Sequence, residues 1–98
     1  MILYDVVFTP EAEEDIANGY AWYSEYSQAS ANAWWLRVLD SINYVGRSPL
    51  SPKIWRDDLR LWKVKQSKYS VIYRVQDQTV TIAAIAHSRM NDQRWRDR

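Results

Sequence analysis

Residues Leu59–Arg89, LRLWKVKQSKYSVIYRVQDQTVTIAAIAHSR, hold three runs of strand character separated by short polar breaks. Leu59–Lys65 alternates, with Leu59, Leu61, Lys63 and Lys65 on one side and Arg60, Trp62 and Val64 on the other. Tyr69–Val75 has the same period of two: Tyr69, Val71, Tyr73 and Val75 share one face, and Ser70, Ile72 and Arg74 the other. Thr79–His87 is rich in β-branched residues and has the length of a central strand. The breaks Gln66-Ser67-Lys68 and Gln76-Asp77-Gln78 are short enough for hairpins, although neither carries Asn-Gly or Asp-Gly. The stretch therefore predicts an antiparallel meander with one buried face and one basic face.

Upstream, Ile2–Phe8 is a β-branched and aromatic run of strand length. It stops at Thr9-Pro10, where Thr suits the N-cap and Pro the first helical position. Glu11, Glu13, Glu14 and Asp15 crowd the first turns, where negative charge favours the helix dipole. Ala12, Ile16, Tyr20 and Tyr23 form the buried stripe of a helix running to about Tyr26, with Gly19 as a weak point costing ~1 kcal/mol relative to Ala. Ser27 or Ser30 caps a second helix ending near Gly46, with the stripe Ala31, Trp35, Val38 or Leu39, Ile42 and Val45. Trp34 falls off that stripe, and Gly46 is expected as the left-handed residue at its end. The two helices form an antiparallel hairpin, their carboxylates in solvent. Arg47–Asp58 is a loop with Pro49 and Pro52, and Lys53–Arg56 adds a short edge strand. The fold class is α+β: a helical hairpin on one face of a mostly antiparallel sheet of 4–5 strands in β-α-α-β-β-β order.

The 98 residues fit one domain. Hydrophobic content of 47% and charged content of 26% exclude a disordered chain. No run reaches the ~20 apolar residues of a membrane span, and Met1 begins no signal-peptide pattern, so the expected location is cytoplasmic, away from membranes. With no Cys, disulfide and thiolate chemistry are excluded; one His and no Cys argue against a zinc site, and no cofactor is expected. The net charge of +1 hides a division. Residues 1–45 carry seven carboxylates against Arg37 alone, a balance of −6; residues 46–98 carry twelve Lys or Arg against five Asp, a balance of +7. The basic half suits a polyanion or an acidic protein segment.

FTPEAEEDI after a first strand, then SPL, LRLWKV, YSVIYRV, TIAAIAH and HSRMNDQRW, in that order, resemble the RelE/ParE family of type II toxins over essentially the whole chain. The resemblance implies the β-α-α-β-β-β fold and a cognate antitoxin that wraps the toxin in a hetero-oligomer. The family divides by mechanism. RelE-like members cut mRNA on the ribosome without a metal, using an Arg near the entry of the YSVIYRV strand and catalytic groups after the last strand. Here the strand-entry position is Ser70, and a His-Tyr pair of some nucleases falls on Ser88-Arg89. Tyr73-Arg74-Val75 and His87-Ser88-Arg89 resemble the ParE-like branch, whose members often poison DNA gyrase.

The resemblance thus implies a gyrase-directed binder, with a ribosome-dependent, metal-independent endoribonuclease as the alternative. In the nuclease, His87 would take the 2′-hydroxyl proton, and Arg74 or Arg89 would stabilise the phosphorane. The candidate surface for target or antitoxin is Arg60, Lys63, Lys65, Arg74, His87, Arg89, Arg94 and Trp95. Each has an ordinary structural reading beside this one. His87 also fits a hydrogen-bonded strand end, and Arg74 an ion pair. Lys63, Lys65 and Lys68 with Arg60 fit a solvated or edge-protecting face. Trp95 fits either an interface anchor among Arg94, Arg96 and Arg98 or packing on the sheet.

Overall fold

The computed structural model describes residues 3–89. Its elements are β1 (Asp5–Phe8), α1 (Pro10–Ser24), α2 (Gln28–Arg47), β2 (Ile54–Arg56), β3 (Leu59–Lys63), β4 (Tyr69–Gln76) and β5 (Thr79–His87). One five-stranded sheet has the order β1-β5-β4-β3-β2. The meander β3-β4-β5 is antiparallel. β1 pairs with β5 in parallel, Asp5 opposite Thr79 and Phe8 opposite Ile82. No described helix is long and apolar enough to cross a membrane.

The helix starts follow their capping residues. Thr9 Oγ1 accepts from the Ala12 N–H at 3.1 Å, and Ser27 Oγ from the Ser30 N–H at 3.0 Å. Each such cap is worth about 1 kcal/mol. The helices cover the predicted face of the sheet. Val64, Val71 and Tyr73 are buried with Val80, Ile82 and Ile85 against Ala12, Trp34, Val38, Ile42 and Val45. Trp62, Val75, Ile16, Tyr20 and Trp35 pack around them.

Two aromatic and glycine expectations are corrected. Trp34, not Trp35, is the inward indole: it is 1% exposed, while Trp35 is half-buried. Its room comes from Gly19, where a Cβ would lie 2.4 Å from Trp34 Cη2 and 2.6 Å from Cζ2. Gly19 is thus the notch in α1 that admits an α2 side chain. Gly46 is helical rather than left-handed, and the helix continues to Arg47 and ends at Ser48. A Cβ at Gly46 would press on Val6 Cγ2 at 3.1 Å.

A bulge in β5 decides which way the end of that strand faces. Tyr73 pairs with Ile82 but Ile72 with Ala84, so Ala83 is an extra residue. Strict alternation would send Ile82 and Ile85 to opposite faces. The bulge lets both face the helices, and it carries His87, opposite Tyr69, to the same side. Where β1 stops, α1 satisfies the open edge of β5. The Thr9 N–H donates to Ile82 O at 3.1 Å, Thr9 Oγ1 donates to Ala83 O at 3.3 Å, and Asp15 Oδ2 accepts from the Ile85 N–H at 3.1 Å. Asp15 is therefore half-buried and bonded to the sheet, not in solvent with the other helical carboxylates. The opposite face is not simply basic. Leu59, Ile72, Ala84 and Ala86 form a second buried cluster there, with Leu61 against it.

Candidate functional site

The structure divides the sequence-derived set among three places. Arg60 lies opposite Tyr73, and its Nη1 donates to Pro52 O at 2.6 Å, pinning the loop before β2. The Tyr73 hydroxyl donates to Pro49 O at 2.7 Å in the same loop, and burial pushes its pKa up to about 12. Arg74 and Lys63 flank the second apolar cluster. Arg74 Nε meets Asp58 Oδ2 at 3.2 Å, and Lys63 Nζ donates to Ser67 O at 2.5 Å. Lys65 is exposed just beyond β3. Arg94 and Trp95 lie outside the described residues.

His87 and Arg89 belong to the third place, a cleft of about 1020 Å³ between the helical hairpin and the end of the sheet. α1 supplies Trp22 and Tyr23, the turn after it Tyr26, α2 supplies Arg37, and the β3–β4 turn supplies Lys68. Tyr69 and His87 form the sheet side, their rings edge-to-face at 5.1 Å. Trp22 packs edge-on against Tyr23 and Tyr26 at 4.9 and 5.1 Å, yet remains 51% exposed, and Tyr26 is 68% exposed. Trp34 backs the cleft, stacked on Tyr23 at 5.6 Å and edge-on to Tyr69 at 5.1 Å.

The chemistry of His87 follows from its neighbours. Its Nδ1 accepts from the Arg89 N–H at 3.0 Å, so the neutral ring carries its proton on Nε2. Burial first, then the Arg89 and Lys68 charges, hold its pKa below the ordinary 6.5. Near neutral pH it is an uncharged hydrogen-bond donor. Arg74 is remote from it. Along β4, the rise from Tyr69, opposite His87, to Arg74 is about 17 Å at ~3.4 Å per residue. The two side chains also point to opposite faces of the sheet. The sequence reading missed the aromatic wall formed by α1 and the turn that follows it. Trp22 and Tyr26, four residues apart and off the buried stripe, were the available signal.

Comparison with known proteins follows this geometry. The profile of the family described as the ParE toxin of the type II toxin-antitoxin system, parDE, matches residues 6–92. No curated protein matches the chain. Among solved structures, a chain of the chromosomal ParDE toxin-antitoxin system from P. aeruginosa superposes with a TM-score of 0.77 at 13% identity, covering 87% of this chain and 96% of its own. A chain of the RelBE2 toxin-antitoxin complex from Mycobacterium tuberculosis gives 0.58 at 24% identity, covering 89% and 93%. At these identities the likeness is one of fold.

Proposed function

Because the chain belongs to the ParE toxin family of type II toxin-antitoxin systems, we propose that it arrests growth by binding DNA gyrase and is neutralised by a cognate antitoxin in a hetero-complex. The reading is one of binding rather than covalent catalysis, and the occupied Nδ1 of His87 carries it. Metal-independent RNA cleavage needs a base at the 2′-hydroxyl and a cation at the developing phosphorane within one site. Arg89 lies beside His87 in the cleft, but Arg74 is on the opposite face, Ser70 supplies no charge, and Nδ1 of His87, the basic nitrogen of the neutral ring, is already occupied by the Arg89 N–H. An uncharged donor beside Arg89 suits an interface contact better than proton abstraction. The charge division supports the antitoxin partner, since an acidic and apolar segment would be steered to the basic half.

The test is growth arrest by matched amounts of soluble wild type, His87→Gln and Arg89→Ala, with purified gyrase and purified ribosomes assayed in parallel. Wild type should inhibit supercoiling and leave ribosome-bound mRNA intact. His87→Gln keeps a donor and should retain most toxicity. Arg89→Ala should be weaker, having lost a charge-assisted contact worth ~1.5–3 kcal/mol. Cleaved ribosome-bound mRNA, untouched supercoiling and an inactive His87→Gln would establish the ribonuclease instead.

A further inference from the structure

We infer that the cleft between the α1 aromatics and the end of the sheet binds single-stranded nucleic acid, with base faces on Trp22 and Tyr26 and phosphates against Arg37, Lys68 and Arg89. Each part rests on what lines the cleft. Trp22 and Tyr26 leave 51% and 68% of their surface open, the most of any aromatic ring among the described residues, with Trp55 next at 39%. Arg37, Lys68 and Arg89 are exposed and have no carboxylate partner among the described residues. The one acid in the lining among the described residues, Asp15, is turned to the Ile85 N–H. The cleft is therefore locally cationic in a chain whose net charge is only +1.

Open aromatic faces beside unpaired cations are the combination that holds a strand without reading a long sequence: rings stack on bases, and cations track the phosphates. Asn18, Ser30, Gln66 and Ser67 add hydrogen-bonding groups within reach of base edges. About 1020 Å³ exceeds what one nucleotide needs, which favours a short strand over a free mononucleotide. A duplex keeps its bases stacked and offers only phosphates, leaving Trp22 and Tyr26 unused. A purely acidic peptide, without apolar side chains, would satisfy the cations and leave those rings bare.

The inference does not depend on gyrase, so it is tested with the full-length toxin alone. Short oligothymidylate and oligouridylate are titrated while tryptophan fluorescence is followed, with an abasic strand of equal length, duplex DNA and polyglutamate as competitors. Both single strands should quench the fluorescence, and Trp22→Phe should remove most of the quenching. Trp22→Ala should weaken binding roughly 5- to 150-fold, the range for losing one stacked base. Log affinity should fall with log salt at a slope of about −2 for three phosphate contacts, and Lys68→Ala should reduce that slope by about 0.7. Lys53→Ala, outside the cleft, should change neither. The single imidazole gives a second readout: a bound strand should raise the His87 pKa measured by NMR. Comparable affinity for the abasic strand, or for polyglutamate, with Trp22→Ala without effect, would overturn the inference and leave a plain anion or protein surface.

Discussion

Replacing Gly19 by alanine sets two effects of opposite sign against each other. In an exposed helix interior the change stabilises by about 1 kcal/mol. Here the new methyl would meet Trp34 Cη2 and Cζ2 at 2.4 and 2.6 Å, about 1 Å inside the near edge of the ~3.5–4.0 Å optimum. Trp34 is 1% exposed and has rings on both sides, Tyr23 stacked at 5.6 Å and Tyr69 edge-on at 5.1 Å. It has nowhere to retreat. Overpacking of this kind costs about 1–3 kcal/mol, and so tight a contact belongs in the upper part of that range. The net loss should be about 1–2 kcal/mol, which lowers Tm by roughly 4–16 °C in a chain of this size. Thermal and urea unfolding of wild type, Gly19→Ala, Trp34→Phe and the double variant measure it. The double variant should be more stable than the sum of the single losses by ~0.5–3 kcal/mol, because Trp34→Phe removes the atoms that are struck. A higher Tm for Gly19→Ala would refute the reasoning, since helix propensity alone would then govern the site.

Ile42→Ala should cost ~2–5 kcal/mol by chemical denaturation, the range for emptying an aliphatic core site; Ile42 is 6% exposed in the main cluster. Tyr73→Phe strips the Pro49 carbonyl of its donor and should cost ~1–3 kcal/mol. It should also flatten the alkaline limb, because a phenol raised from 10.0 to about 12 by burial makes the wild type lose stability as pH rises through that interval. His87 acts at the acid end. Its folded pKa lies below the unfolded 6.5, so the unfolded chain takes up the proton first and stability falls as pH drops below that value. His87→Gln should remove that component from a plot of Tm against pH, and an unchanged plot would show that the ring is not held neutral.

The parts of the fold that local chemistry dictates were legible in the sequence. Thr9 and Ser27 cap as their side chains require, and the parity of Trp62, Val64, Val71, Tyr73 and Val75 identifies the helix-facing side of the sheet. What was not legible depends on a partner elsewhere in the chain. Trp34 and Trp35 are adjacent and chemically identical, and the notch that selects Trp34 is on the other helix. The face of His87 depends on the Ala83 bulge, which TIAAIAH shows only as two isoleucines three apart. Arg60 and Arg74 looked alike as strand cations, but loop carbonyls hold one and Asp58 the other. His87 and Arg89 were grouped in the sequence because a strand end is local, and they line one cleft. The aromatic wall was missed because α1 had been read only by its buried stripe.

The parallel seam between β1 and β5 has a consequence for how the chain leaves the ribosome. Thr9 and Ala83, bonded across that seam, are 74 positions apart, and a parallel pair admits no hairpin shortcut. The helical hairpin and β1 emerge first, and β1 waits without a sheet neighbour until β5 is made. Contacts of such long range slow folding. During vectorial synthesis the β1–β5 seam therefore closes last, and a truncated nascent chain has no β5 for β1 to join.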